Sequence, residues 1–271
     1  MLPLKIGACL RSQQIADHRD WLFDDARDLE LQDFLSHDVL MADWKAAALE
    51  AKAALVGFSG RLGIHGPYAG LDIDNKDPEL QALITRRFLV ALQAAELVGA
   101  RQMVLHSPYR SWYYINRMVK SGYEEDKLDR IHTILDPVVA RAEEVGIVIV
   151  IENIEDSDPS TRRNLVDSFH SDAIALSIDT GHAHVTRHNF DAPPVDFFVR
   201  DAGDQLRHVH LQDVDGYCDR HWAPGEGDIK WQSVFDALSD CNSAPHLVLE
   251  LRDKTKILQA FEYLKSLGLV C

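Results

Sequence analysis

Eight short apolar runs alternate with longer amphipathic segments, and this alternation constrains the fold more than any other feature of the sequence. The runs are Leu4–Leu10, Asp28–Phe34, Arg61–His65, Gln102–His106, Ile147–Glu152, Ala173–Asp179, Leu206–Leu211 and His246–Glu250. Several contain almost only apolar residues, as expected of strands that are buried on both faces of a parallel sheet. The pattern therefore predicts eight parallel strands.

The segments between these runs have the apolar spacing of amphipathic helices. The clearest are Trp44–Phe58, Glu79–Val98, Tyr123–Val145 and Thr255–Leu267. A glycine directly follows each of the last three and favours a helix C-terminus there. Pro137 lies inside the third segment, where we expect a kink. Strand, helix, glycine and strand in this order indicate βαβ units.

Eight such units in 271 residues favour a single (β/α)8 TIM barrel over an open, doubly wound sheet. A barrel of this type takes about 250 residues, so we expect one α/β domain over residues 1–271. Length alone would also allow two small domains. The first 14 residues have no basic segment and no long apolar core. We expect a strand there rather than a signal peptide, and we expect no membrane span.

The net charge bears on whether the chain binds nucleic acid, and the cysteine content bears on zinc sites and disulfides. The formal net charge is −15, whereas surfaces that bind nucleic acid usually carry positive charge. The charge argues against a DNA partner, although a local basic patch is compatible with it. Cys9, Cys218, Cys241 and Cys271 form no CxxC pair, which argues against a thiolate zinc site and a disulfide framework. We expect a cytoplasmic location.

Ionisable residues recur where six consecutive predicted strands end. They are His65, His106, Glu152, Asp179, His210 and Glu250. Barrel closure would bring these ends onto one rim, where the carboxylates would repel one another and their pKa values would rise. Bound divalent metal would remove this conflict. Imidazole with carboxylate suits zinc, manganese or iron better than magnesium alone.

Further histidines and an aspartate lie close to these strand ends. His182 comes three residues after Asp179, and Asp219 and His221 lie in the loop after the seventh strand. A single histidine after a strand is more often a hydrogen-bonded loop residue than a ligand, but the matching positions favour metal binding for the set. We expect His184 to be a neighbour of the site. Of His208 and His210, we expect His210 to be the ligand because it lies closer to the rim.

The motifs HGPY, HSPY, IEN, DTGHA, HVHLQD, DRH with GEGDI, and LEL follow one another in this order. Together they resemble the xylose isomerase-like TIM barrel superfamily, from about Ile64 to Leu251. That superfamily contains sugar and sugar phosphate isomerases and epimerases, inosose isomerases and dehydratases, and the endonuclease IV family of apurinic-site nucleases. Together the motifs are specific for the superfamily, but they do not distinguish well between the reactions that its members catalyse.

The resemblance implies two models of the site. In the isomerase and epimerase branch, one Mn2+, Mg2+ or similar ion would be held by Glu152, Asp179, His210 and Glu250. In the endonuclease branch, three zinc ions would use nine ligands, namely His65, His106, Glu152, Asp179, His182, His210, Asp219, His221 and Glu250. We therefore expect one to three divalent ions, with zinc or manganese favoured and Mg2+, Co2+ or Fe2+ as alternatives.

Three functions follow from these models. The first is a metal-dependent isomerase or epimerase of a small sugar, sugar phosphate or related polyhydroxylated carbonyl compound, with Glu152 and Glu250 as acid and base. Because direct ligation lowers the basicity of a carboxylate, His182 is an alternative base. The second is a multinuclear zinc phosphoester hydrolase that resembles endonuclease IV. The third is a non-catalytic metal-binding barrel.

The segment Pro108–Arg117 is rich in aromatic residues and arginine. Arg110 and Trp112 could close over a sugar-like substrate, form a subunit contact or stack on a base. Arg252 could hold a phosphate or carboxylate. The acidic segment after the second strand, LSHDVLMADW, argues against DNA binding. A homodimer is common in families of this kind.

Overall fold

Within residues 4–119 and 121–271, which the computed structural model describes, eight parallel strands close into a barrel. Each strand pairs with its neighbours in chain order, and the first pairs with the last. The strands are β1 (Gly7–Leu10), β2 (Leu29–Leu31), β3 (Leu62–His65), β4 (Gln102–His106), β5 (Val148–Glu152), β6 (Ile174–Asp179), β7 (Leu206–Leu211) and β8 (His246–Leu249). The prediction of a (β/α)8 barrel is confirmed.

All eight predicted strands are present, although β1 and β2 are shorter than the apolar runs that predicted them. β1 begins at Gly7 because Leu4 forms only an isolated bridge, to Val270. β2 covers three residues of the seven-residue run. Apolar residues outside a strand can still pack in the core, so hydrophobicity alone overestimates strand length.

Helices surround the barrel in the described residues. They are α1 (Arg19–Asp24), α2 (His37–Met41), α3 (Trp44–Ala54), α4 (Pro78–Val98), α5 (Ser111–Asn116), α6 (Tyr123–Val145), α7 (Pro159–Ser168), α8 (Thr180–Phe190), α9 (Val195–Ala202), α10 (Trp231–Ser239) and α11 (Ile257–Ser266). Gly99 and Gly146 end α4 and α6 with φ values of 88° and 65°. These left-handed conformations suit glycine, so the predicted helix ends are confirmed.

Side chains inside the barrel change from apolar to polar toward the C-terminal ends of the strands. Val104, Val150 and Ala175 form a small buried cluster of their own. Because every second residue of a strand faces the same side, the same inward face continues from Val104 to His106 and from Val150 to Glu152. The apolar layer thus supports a layer of ionisable groups at the rim.

Candidate metal centre

The strand register places the predicted ligands next to one another. His106 pairs with Glu152 across β4 and β5, and Asp179 pairs with His210 across β6 and β7. β7 continues for one residue beyond His210, and Glu250 follows the last residue of β8. The ladder therefore fixes the spacing of these side chains before any side-chain contact forms.

The nine predicted ligands fall into three groups whose donor atoms lie within 4.8 Å of one another. We call them the strand cluster (His65, His106 and Glu152), the central cluster (Glu152, Asp179, His210 and Glu250) and the loop cluster (His182, Asp219 and His221). Glu152 belongs to the first two. The structure brings all nine side chains together, and their role as metal ligands stays a prediction.

In the strand cluster, both imidazoles direct Nε2 toward one carboxylate oxygen. His65 Nε2 and His106 Nε2 lie 3.7 Å and 3.8 Å from Glu152 Oε2, which is buried and has no hydrogen-bond partner among the described residues. His65 Nδ1 lies 2.8 Å from the carbonyl oxygen of Gly66. Since a carbonyl only accepts, Nδ1 carries the proton and Nε2 keeps its lone pair. These donors fit a zinc-like cation.

In the loop cluster, too, a carbonyl oxygen faces each imidazole Nδ1. His182 Nδ1 lies 3.0 Å from the carbonyl oxygen of Asn153, and His221 Nδ1 lies 3.0 Å from that of Glu250. Their Nε2 atoms face Asp219 Oδ2 at 3.6 Å and 2.9 Å. Outer hydrogen bonds of this kind fix the imidazole orientation that a metal needs.

The central cluster is the most deeply buried of the three. His210 Nδ1 lies 3.1 Å from Glu152 Oε1 and 3.4 Å from Glu250 Oε2. Asp179 is fully buried and accepts the backbone N–H of His182 at 2.7 Å, at the start of α8. His210 would thus coordinate through Nδ1, whereas His65, His182 and His221 would coordinate through Nε2.

The pKa values show how strongly the site favours cations. Burial raises the pKa of Asp179 to about 6. Burial opposes the charged form of His221, but Asp219 and Glu250 outweigh it and raise the pKa of that imidazole to about 9. Burial lowers the pKa of His106 to about 3, so its nitrogen is available to a metal at neutral pH. Burial opposes the charged form of Glu152, but His210 and His182 outweigh it and hold the pKa of that carboxyl well below its usual range. The expected rise is therefore found for Asp179 and is wrong for Glu152. Divalent cations would replace the protons that the imidazoles hold in this acidic site.

Sequence reasoning missed Glu30, which lies fully buried under the central cluster. Both of its oxygens lie 3.1 Å from His210 Nε2, and Oε2 lies 3.2 Å from His208 Nε2. His208 Nδ1 in turn lies 2.9 Å from Ser177 Oγ. Glu30 therefore accepts the Nε2 proton of His210 and leaves Nδ1 for the central cluster. The sequence did contain a signal for this residue: a glutamate between two leucines in β2 is unusual for a buried strand.

Cys9 lies beside Glu30, and its Sγ falls within 4.8 Å of donor atoms of Glu30, His210 and Glu250. Burial and the Glu30 charge raise the pKa of the Cys9 thiol well above its usual range. The structure thus places one cysteine among possible ligands of the central cluster, and the expectation that no thiolate takes part in the metal site stays a prediction.

A cavity of about 590 Å³ lies over the rim. Arg110 and Arg252 line it, as do Glu152 and Glu250. Trp112 does not contribute to this lining: it lies on α5, and 68% of the residue is exposed. The structure thus brings two of the three predicted substrate residues to the site.

His184 was predicted to be a neighbour of the site and not a ligand. His184 packs against His188 at a ring distance of 4.7 Å and belongs to none of the clusters. Arg110 lies 3.9 Å from Asp72 and 3.8 Å from Glu155.

No helix in the described residues is long and apolar enough to cross a membrane.

Residues 24–267 match the family model of the xylose isomerase-like TIM barrel, and the chain belongs to this family. Among curated relatives, fructoselysine 3-epimerase of Escherichia coli O157:H7 is 28% identical over 116 residues, which are 41% of this chain and 40% of that protein.

Two solved structures are similar along almost the entire chain. A D-tagatose 3-epimerase-like protein superposes with a TM-score of 0.79 at 21% identity, and 98% of each chain is covered. A Thermus thermophilus protein, studied after soaking with ZnCl2, gives a TM-score of 0.72 at 24% identity, again with 98% of each chain covered. At these identities the two structures establish the fold alone.

Proposed function

We propose that the chain is a divalent-metal-dependent isomerase or epimerase that acts on a small sugar or related polyhydroxylated carbonyl compound. One observation carries the proposal: Glu152 and Glu250 line the cavity, whereas Asp179 and His210 are fully buried below it. The central cluster thus offers two carboxylates to a substrate and two further donors to an ion. The similarity of part of the chain to fructoselysine 3-epimerase supports this choice.

The two glutamates are suited to proton transfer at a carbon next to a carbonyl. A divalent cation held by the central cluster would polarise that carbonyl and the neighbouring hydroxyl. Glu152 Oε2 has no hydrogen-bond partner in the described part of the chain, and Glu250 Oε1 accepts from Gln32 at 2.7 Å. Glu152 is therefore the better placed base, and Glu250 or His182 would return the proton.

A second candidate, a phosphoester hydrolase, is favoured by the strand and loop clusters. They add five donors to the central cluster: His65, His106, His182, Asp219 and His221. Two or three ions in such a centre would activate water and stabilise the attacking and leaving oxygens of a phosphoester. The cavity over the rim argues against the third hypothesis, a non-catalytic barrel, because a substrate can reach the site.

Proton exchange tests the leading proposal. The metal-loaded protein is incubated with a panel of ketoses and inososes in deuterium oxide, and deuterium incorporation at carbon is followed by NMR. We expect exchange with at least one compound and its loss in Glu152→Gln. Hydrolysis of a small phosphodiester or of abasic DNA, without any exchange, would instead establish the second candidate.

A further inference from the structure

We propose that Gln212 is a positioning residue that assembles the loop cluster and links it to the central cluster. The proposal rests on the metal-dependent function proposed above, but it concerns the placement of ligands and not the reaction. Gln212 directly follows β7 and is fully buried. Its neutral side chain is absent from the nine predicted ligands, yet it contacts three of them.

The amide nitrogen of Gln212 donates to carboxylates of both clusters. Nε2 lies 3.1 Å from Asp179 Oδ1 and 2.8 Å from Asp219 Oδ1. A primary amide has two N–H groups, so one can serve each carboxylate. Because Oδ1 of Asp219 is occupied in this way, Oδ2 is left to face the imidazoles of His182 and His221.

The amide oxygen of Gln212 fixes the third ligand. Oε1 accepts the backbone N–H of His221 at 2.9 Å. His221 has a φ of 50°, in the left-handed region that non-glycine residues seldom adopt. The hydrogen bond thus supports an uncommon backbone conformation that brings the His221 ring to Asp219.

The motif Asp179-Thr180-Gly181-His182 provides the place where Gln212 lies. The Thr180 hydroxyl donates to the carbonyl oxygen of Gln212 at 2.8 Å, and the Gln212 N–H donates back to that hydroxyl at 3.0 Å. A Cβ at position 181 would lie 2.4 Å from the amide carbon of Gln212. A side chain at this position would therefore displace the Gln212 amide, so the motif supplies two predicted ligands and also the space for the residue that connects them.

These contacts give Gln212 a role that no β-ladder performs. Asp219 and His221 lie outside the named strands and helices of the described chain. A cation in the central cluster would immobilise Asp179 and with it the Gln212 amide, so the loop cluster would be better ordered for its own ion. Loss of an outer hydrogen bond to a ligand typically lowers metal affinity about 10–100-fold. We expect the largest loss at the loop cluster, because Gln212 contacts two of its ligands, Asp219 and His221.

The decisive variant is Gln212→Glu, which keeps the shape of the side chain but replaces the N–H donors with an acceptor oxygen facing two carboxylates. Chelator-stripped protein is titrated with Zn2+ against a chromophoric chelator, and the ions per chain are counted by elemental analysis. We expect the wild type to bind at least two ions and the variant to bind one of them at least about tenfold more weakly. The strand cluster contains none of the residues that Gln212 bonds, so its ion should be bound with wild-type affinity.

A matched control is Gln102→Glu, which changes another buried glutamine, one that donates to the carbonyl oxygen of Arg207. It should retain every ion at wild-type affinity. Should Gln212→Glu fail to fold, Gly181→Ala displaces the same amide and should weaken the same ion. Thermal unfolding of the metal-free proteins verifies that each variant is folded.

The outcomes separate this proposal from the proposed function. Wild-type affinity for all ions in folded Gln212→Glu and Gly181→Ala would overturn the positioning role and leave the function intact. A wild type that binds a single ion would also overturn it, because the loop cluster would then hold none. A wild type that binds no ion would contradict the proposed function itself.

Discussion

The strand cluster and the loop cluster present similar donors but position them by different means. His106 and Glu152 are register partners in adjacent strands, so main-chain hydrogen bonds set their separation. In the loop cluster, by contrast, Gln212 Nε2 donates to the Asp219 carboxylate, and Gln212 Oε1 accepts the backbone N–H of His221. The side chain of His65 is 4% exposed and that of Asp219 is 43% exposed. The comparison indicates that the barrel builds one half of the centre, and that a loop must be held in place to complete it.

The largest effect is expected from Glu152→Gln, because Glu152 belongs to both the strand and the central clusters. Loss of its charge should remove the ions of both clusters while the loop cluster persists. Turnover of an identified substrate should fall about 10²–10⁴-fold, the usual contribution of a positioned acid or base. Steady-state kinetics and elemental analysis measure these effects. Glu144→Gln, an exposed change on α6, is the control, and unchanged turnover in the Glu152 variant would refute the assignment.

Glu30→Ala tests the buried residues that lie beneath the central cluster. It removes the carboxylate beside the buried imidazole of His208 and the acceptor at Nε2 of His210, whose Nδ1 still faces Glu152. We expect a loss of about 1–3 kcal/mol in the free energy of unfolding and metal affinity about 10–100-fold lower in the central cluster. Urea unfolding and zinc titration measure the two effects. Glu30→Gln keeps the volume and should be milder; equal losses in both variants would contradict this role of the carboxylate.

Asp213→Ala should disrupt the loop cluster and leave the strand cluster intact. The Asp213 carboxylate accepts from the backbone N–H groups of Gly225 and Ile229 and from Trp231 Nε1, at 2.8 Å, 3.2 Å and 3.0 Å. Without these bonds we expect a loss of about 1–3 kcal/mol, faster proteolysis between β7 and α10, and loss of the loop-cluster ion. Asp228→Asn, in the same loop, serves as the control. Simultaneous loss of the strand-cluster ion would show that the two halves are not independent.

The smallest expected effect is on the pH dependence of the stability of the metal-free protein. The folded-state pKa of His221 is raised from 6.5 to about 9. A raised histidine pKa stabilises the fold fully below pH 6.5, and this contribution is lost as the pH rises through 9. Thermal unfolding between pH 6 and pH 9.5 should therefore show declining stability without metal and a weaker decline with Zn2+, which requires deprotonated imidazoles. His221→Asn should flatten the metal-free profile, and an unchanged slope would contradict the assignment.

The difference between ligands placed by strands and ligands placed by a loop also explains which site residues the sequence could predict. Strand-end residues such as His106 and Glu152 were predictable because the two-residue period and barrel closure fix where they point. Asp219 and His221 were singled out by their position after the seventh strand, but only the resemblance assigned them to the set of nine ligands, since no periodicity governs a loop. Gln212 was not predictable from its chemistry alone, because a neutral amide gains its role only from the groups that surround it.

Glu30 and Trp112 illustrate two further limits. Glu30 lies in the interior of β2, and only the closed barrel shows that His208 and His210 reach it from β7. Trp112 was expected at the substrate because of its residue type, but the short helix α5 leaves it exposed outside the cavity lining. Its contact with a substrate stays a prediction that depends on movement of this segment.

The most direct test of the metal centre is elemental analysis of protein purified without chelators or a metal-affinity tag. We expect two or three divalent ions per chain, with zinc or manganese predominant, and loss of the strand-cluster and central-cluster ions in Glu152→Gln. Full retention of these ions in Glu152→Gln would contradict the shared ligand. Protein that contains no bound divalent metal, and takes up none when Zn2+ or Mn2+ is added, would contradict the entire account of the rim.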